Sequence, residues 1–205
     1  MLERVRRWLA RQFAGPTGPL GRWLIGPWLN RIGRAMNRLA FEQLEVRPGE
    51  KVLEVGFGGG ELSGWIIRAG AELTGLDRSE AMVARAQRPH RRGRASFRVG
   101  SAEALPFPAG AFDKLVSVNT IYFWRDLAAV LGEFARVVRP GGTLLLCFQT
   151  PEAVRRWPGH RHGFVAHEPE AVAEAMAAAG IRLSGTVSGS AAPVGEFLCM
   201  KGLRS

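Results

Sequence analysis

Cysteine is nearly absent from this chain: Cys147 and Cys199 are the only two in 205 residues. Far apart in sequence, they fit neither the short spacing of a metal site nor the framework of a disulfide-stapled fold. They read as reduced core thiols, and both fall in apolar, strand-like runs, as neighbours in one sheet would. Long apolar stretches are missing too. None approaches the roughly 18–20 residues needed to span a bilayer. The N-terminus lacks the uninterrupted apolar core and small-residue cleavage site of a secretory signal. The expectation is a cytoplasmic protein, with peripheral contact on the inner face of the membrane open to it. Histidine is scarce, and although His160, His162 and His167 crowd one loop, no cysteine or acid completes a ligand set, so no metal is expected.

Acid is lacking at one end. Residues 1–41 hold eight arginines (Arg4, Arg6, Arg7, Arg11, Arg22, Arg31, Arg34, Arg38) against Glu3 alone, so most of the net charge of +10 sits there and the remaining chain is near neutral. A basic body would point to nucleic acid, whereas a basic arm on a near-neutral body points to a local surface role. The cluster Arg85, Arg88, Arg91, Arg92 and Arg94 ends a helical stretch, where cations suit the dipole, and reads as a solvated surface. What is plentiful is apolar residue, 46% of the chain, enough for the core of one domain with a short appendage.

Residues 2–13 place Leu2, Val5, Leu9 and Phe13 on one helical face and Arg4, Arg7 and Arg11 on the other. Gly15-Pro16-Thr17-Gly18-Pro19 breaks that helix. A second segment, Leu20–Leu44, is rich in Trp, Leu and Arg and is interrupted at Gly26-Pro27. From Lys51 onward short apolar runs alternate with helical patterns. Strands are expected at Val52–Val55, Glu72–Leu76, Ala95–Val99, Lys114–Val118 and Thr143–Phe148, with helices near Glu61–Ala69, Ser79–Arg88 and Asp126–Val138. Such alternation implies right-handed crossovers and a parallel sheet covered on both faces. Past Thr150 come a loop, a helix at Pro169–Ala179, and two β-like runs, Ile181–Val187 and Gly195–Met200, which suit an antiparallel hairpin at the sheet edge.

The stretch Val52-Leu53-Glu54-Val55-Gly56-Phe57-Gly58-Gly59-Gly60 is a strand entering a glycine-rich turn before a helix, where open α/β sheets hold ligands. A dinucleotide fingerprint counted from Gly56 would end on Glu61, an anion where pyrophosphate should sit, and counted from Gly58 it reaches Ser63; both argue against NAD. A ligand bearing cationic groups instead would welcome Glu54. The run Glu-x-Gly-x-Gly-x-Gly at Glu54–Gly60 resembles the first motif of class I S-adenosylmethionine-dependent methyltransferases. Leu73–Ser79 resembles the second, with Asp77 at the ribose. Gly100–Phe107 is similar to the adenine-binding stretch, Asn119–Trp124 to the segment after strand four, and Arg136–Gly142 to the turn before strand five. One departure is Ser101, where the family often carries Asp; a hydroxyl bonds the adenine amino group more weakly than a carboxylate.

The resemblance, over about residues 46–149, implies a doubly wound, Rossmann-like, seven-stranded and mostly parallel sheet with an antiparallel C-terminal hairpin. It implies residues 1–45 as a basic helical arm or lid and 46–205 as the S-adenosylmethionine-binding domain. Cofactor contacts are then expected from Glu54, Gly56, Phe57, Gly58, Gly60, Asp77, Arg78, Ser101, Ala102, Glu103 and Asn119, with Asn119 and Tyr122 beside the methyl acceptor. Phe57 and Trp124 offer rings to a sulfonium or to the core.

Methyl transfer needs alignment and water exclusion more than a dedicated base, so the lack of an obvious acid–base pair is no objection. Asn119-Thr120-Ile121-Tyr122 lacks the two prolines of the methyltransferases that act on exocyclic base amines. Without an added RNA-binding module, nucleic acid is disfavoured as a partner. The motif set is closer to small-molecule, quinone and lipid methyltransferases. The basic amphipathic arm has the pattern of an anchor on anionic lipid, through residues 1–41. Small bacterial phospholipid N-methyltransferases are similar in size and in their leading helix, which makes a phospholipid amine one expected acceptor. The alternatives are an RNA- or ribosome-modifying enzyme and a non-catalytic cofactor-binding scaffold.

Overall fold

The computed structural model describes residues 26–87, 95–157, 160–161 and 163–205. The amphipathic stretch 2–13, most of the arginine cluster that begins at Arg85, and His162 lie outside them. In chain order the elements are α1 (Gly26–Leu44), β1 (Lys51–Val55), α2 (Glu61–Arg68), β2 (Glu72–Asp77), α3 (Glu80–Gln87), β3 (Ala95–Val99), β4 (Phe112–Val118), a 3-10 turn (Ile121–Phe123), α4 (Leu127–Val137), β5 (Val138–Gln149), α5 (Pro151–Arg156), α6 (Pro169–Ala178), β6 (Ile181–Ala191) and β7 (Gly195–Arg204). The strands form one seven-stranded sheet in the order β3-β2-β1-β4-β5-β7-β6. β1 to β5 run parallel, and β7 enters antiparallel between β5 and β6. This is the Rossmann-like architecture that the alternation implied.

Apolar side chains fill both faces because the central strands are buried on either side. One face carries α1, α2 and α3, through Met36, Ala40, Leu44, Leu62, Ile66 and Met82; the other carries α4 and α6, through Val130, Leu131, Phe134, Val172 and Met176. In α1, Pro27 occupies an early position where its missing N–H costs nothing. Met36, Ala40 and Leu44, four residues apart, are wholly buried. Burial of Met36 and Leu44 contributes about 1.5–3 kcal/mol each. The helix ends at Glu45, whose φ of 50° is left-handed. There Lys114 Nζ donates to the carbonyls of Leu44 (2.9 Å) and Glu45 (2.6 Å) and pairs with Glu50 at 2.9 Å. A cation thus caps the helix and ties it to β4.

Several boundaries differ from the sequence expectation. β5 runs back through Arg139–Gly142, expected as a turn, because the segment stays paired with β4 across an irregularity between Phe112 and Lys114. β6 and β7 extend well past the expected hairpin. A helix, α5, stands where a loop was expected: Thr150 Oγ1 caps it by accepting from the Ala153 N–H at 3.3 Å, and Pro151 opens it. Cys147 and Cys199 face each other across β5 and β7 as free buried thiols.

Candidate functional site

The carboxyl ends of β1, β2, β4 and β5 open into one pocket of about 1030 Å³. Its floor is the glycine turn after β1. Gly56 has φ 76°, and a Cβ there would sit 2.2 Å from Thr120 Cγ2, so β4 can close on the turn only over a glycine. At Gly58 and Gly60 a Cβ would meet nothing within 4 Å. Packing does not demand glycine at those two; a left-handed backbone and an open cradle do. The Gly60 N–H donates to the Phe57 carbonyl at 2.8 Å, closing the turn.

Two carboxylates face this cradle. Glu54 is 4% exposed, and its Oε2 accepts from Ser63 Oγ at 2.5 Å. Burial pushes its carboxyl up to about 7, the Ser63 bond opposing and the Asp77 charge adding to the rise. Asp77 ends β2. Its Oδ2 accepts from the Gly58 N–H at 3.0 Å and its Oδ1 from the Ser79 N–H at 2.9 Å. Burial raises Asp77 as well, against those two N–H groups and the charge of Arg78. Asp77 is therefore a strut that holds the glycine turn against β2.

The other expected contacts line the same space: Gly56, Phe57, Gly58, Arg78, Ser101, Ala102, Glu103 and Asn119. Gly60 is outside the lining set. Phe57 turns its ring into the core, edge-on to Phe97 at 5.0 Å, and Trp124 packs edge-on to Phe134 at 5.3 Å. Ser101 Oγ accepts from the Glu103 N–H at 3.3 Å, which leaves its own proton to donate.

Asn119 and Tyr122 are coupled. Asn119 has a left-handed φ of 63° and follows β4. The Tyr122 hydroxyl accepts from the Gln149 N–H at 2.5 Å and donates to Asn119 Oδ1 at 2.9 Å. Since that single proton must go to an acceptor, the amide oxygen of Asn119 faces Tyr122 and its NH₂ is left for the pocket. Burial also pushes the Tyr122 phenol above its ordinary range. It is a fixed strut between the ends of β4 and β5.

Beyond Tyr122 the pocket becomes aromatic. Phe164 stacks on Tyr122 at 5.8 Å and meets Phe123 and Trp157 edge-on at 4.7 and 4.8 Å. The Val165 N–H bonds the Tyr122 carbonyl at 2.9 Å, strapping this loop down. Of the loop histidines, His160 Nδ1 bonds the Trp157 carbonyl at 2.7 Å, and neither His160 nor His167 lines the pocket. No cluster of potential metal ligands occurs among the described residues.

Sequence reasoning missed the far wall: Arg125, Val154, Arg156, Trp157 and Phe164. Thr150-Pro151 followed by Arg155-Arg156 is a helix start and stop, and would have placed α5 there. The arm-or-lid expectation for 1–45 named no pocket residues on α1. Gly33 and Asn37 line the pocket, Asn37 Nδ2 donates to Glu61 Oε2 at 3.2 Å, and Arg34 pairs with Glu61 at 3.3 Å.

The family model described as a methyltransferase domain matches residues 53–146. The chain is 33% identical over 122 residues to the uncharacterized methyltransferase YdaC of Bacillus subtilis, covering 58% of this chain and 67% of that protein. It is 36% identical over 121 residues to a demethylmenaquinone methyltransferase of Beutenbergia cavernae, covering 58% of this chain but only 50% of the relative. Among solved structures, geranyl diphosphate methyltransferase in complex with S-adenosylmethionine aligns with a TM-score of 0.74 at 17% identity, over 95% of this chain and 94% of that one.

Proposed function

The chain belongs to the class I S-adenosylmethionine-dependent methyltransferases, with that molecule as its cofactor, and on that premise we propose that it methylates a small or lipid-like apolar acceptor of the quinol type. The observation that carries this reading is the two-part pocket. Its volume of about 1030 Å³ lies at the upper end of the roughly 300–1,000 Å³ of ligand sites, and its two halves differ in chemistry. The glycine turn, Glu54 and Asp77 suit a ligand with cationic groups and a sugar, and the open cradle at Gly58 and Gly60 gives it room. The aromatic half suits a flat or isoprenoid acceptor. The names of the demethylmenaquinone and ubiquinone/menaquinone relatives point the same way.

When bound, S-adenosylmethionine supplies a methyl group on a sulfonium, open to in-line displacement. Among the described residues, the lining of the acceptor half beyond Asn119 includes no His, Asp or Glu, and Tyr122 is committed to Asn119 and Gln149. A phenol or a quinol brings its own acidity: its hydroxyl proton passes to solvent, the oxygen or the ring carbon then takes the methyl group, and no stronger base is needed. The Asn119 NH₂ then donates to the acceptor oxygen, the buried Tyr122 holds that amide in one orientation, and the aromatic wall excludes water. Glu54, Gly56, Gly58, Asp77, Arg78 and the Ser101–Glu103 turn serve the cofactor, and 46–205 acts as the catalytic domain.

Residues 1–41 we assign to an anionic membrane surface from which the acceptor is taken. No helix among the described residues is long and apolar enough to cross a membrane. The test is transfer of labelled methyl from S-adenosylmethionine to lipid, quinone and RNA fractions. Label in the quinone or lipid fraction that disappears in Asp77→Ala supports the reading, and label confined to RNA overturns it. Unchanged vesicle binding after removal of residues 1–14 would refute the membrane part alone.

A further inference from the structure

Charge is sorted within the pocket. Its acids, Glu54, Asp77 and Glu103, all lie at the cofactor end, where Arg78 sits beside Asp77. The acceptor half carries the opposite sign: its charged lining groups among the described residues are Arg125 and Arg156. Arg125 follows the 3-10 turn after β4 and Arg156 ends α5 after β5, so adjacent strands deliver both to one wall.

Neither guanidinium has a hydrogen bond or ion pair with a described residue, although partners are close in sequence. Arg155, one position before Arg156, pairs with Glu168 at 3.0 Å and Glu152 at 3.8 Å. Asp126, one position after Arg125, caps α4 by accepting from the Ala129 N–H at 2.9 Å. The nearby acids are thus spent on groups outside the pocket. Both are arginines, whose planar forks match phosphate and carboxylate and lie flat on aromatic rings. Trp157 and Phe164 supply such rings in the same half.

We infer that the acceptor carries an anionic oxygen group on its apolar body, and that Arg125 and Arg156 bind this group. The inference rests on the methyltransferase reading above and narrows its substrate class to apolar anions, phosphorylated or carboxylated.

A pair of fluorescent probes tests this without knowledge of the natural acceptor. 1-Anilinonaphthalene-8-sulfonate and N-phenyl-1-naphthylamine share an aryl amine body and differ by the anionic group. Calorimetry with S-adenosylhomocysteine comes first, and its failure would count against the cofactor reading itself. Each dye is then titrated into the full chain saturated with that nucleoside. In the double variant Arg125→Gln/Arg156→Gln the sulfonate should bind about tenfold more weakly while the neutral dye stays within about twofold. An unchanged sulfonate affinity overturns the proposal. So does an equal loss for both dyes, since the arginines would then be shaping the chamber rather than meeting an anion. Displacement of the sulfonate dye by farnesyl phosphate or by 2-naphthoate, each compared with its neutral alcohol, tells phosphate from carboxylate; displacement by neither overturns the proposal.

Discussion

The two ends of the parallel strands treat charge in opposite ways. At the amino ends the charges are paired. Asp113 accepts from the Lys51 N–H at 2.8 Å and from Arg139 at 2.6 Å, which holds its carboxyl below the usual range. Arg136 and Glu133 pair at 2.7 Å, and Lys114 is caged by two carbonyls and Glu50. At the carboxyl ends Glu54 and Asp77 are raised by burial, and Arg125 and Arg156 have no described partner. A fold can neutralise its charges by itself, as it does at one end. At the other, burying Glu54 and Asp77 costs stability that a cationic ligand returns on binding, while the exposed Arg125 and Arg156 stay solvated.

Lys114→Met should break the comparison most sharply in stability. It leaves Glu50 and two carbonyls without their cation, at a cost of about 3 kcal/mol. Chemical denaturation should show that loss, while S-adenosylhomocysteine affinity stays within about twofold. Asp77→Ala at the opposite end should reverse the pattern. Losing the strut to Gly58 and Ser79 weakens cofactor binding by about a hundredfold in calorimetry, roughly 2.7 kcal/mol, with a smaller loss of stability.

Glu54 sharpens the contrast through pH. Its folded value, about 7, lies above the ordinary 4.5, so between those limits the free fold holds a proton that the unfolded chain has released. The stability this gives is fully present below about 4.5 and is lost as pH rises through about 7. A cationic ligand favours the carboxylate, so cofactor affinity should rise over the same window with release of a proton. Calorimetry near pH 6.5 in buffers of different ionisation enthalpy detects that proton. Glu54→Gln should abolish the release and weaken binding by about tenfold.

Tyr122→Phe is expected to lower kcat by about tenfold through a freed Asn119 amide, with cofactor affinity unchanged; a loss of affinity instead would move Asn119 to the cofactor. The smallest effect belongs to the exposed pair of Arg38 and Glu42 at 3.0 Å, where Arg38→Ala should change stability by at most about 0.5 kcal/mol.

The fold was largely legible along the chain because its signals are local. Strand-to-helix alternation, the glycine turn at Gly56–Gly60 and the acid at Asp77 each depend on residues a few positions apart. They pointed to a doubly wound sheet and its ligand edge, and carried the resemblance that implied the cofactor. α5 was legible too in Thr150-Pro151, and was missed only because three histidines nearby invited a loop.

What tertiary structure alone decided is everything that joins distant segments. Asn119 and Tyr122 read as acceptor contacts, but only the N–H of Gln149, brought alongside by β5, shows that the hydroxyl is spent and the amide turned. Lys114 reads as a strand residue until α1 ends above it. Arg156 looks no different from Arg155 until the fold gives one a pair of glutamates and leaves the other at the pocket wall. Hydrophobic periodicity reports which face of an element is buried; it carries no record of what lies across the gap, and the partner of a charge is set by packing between elements rather than along them.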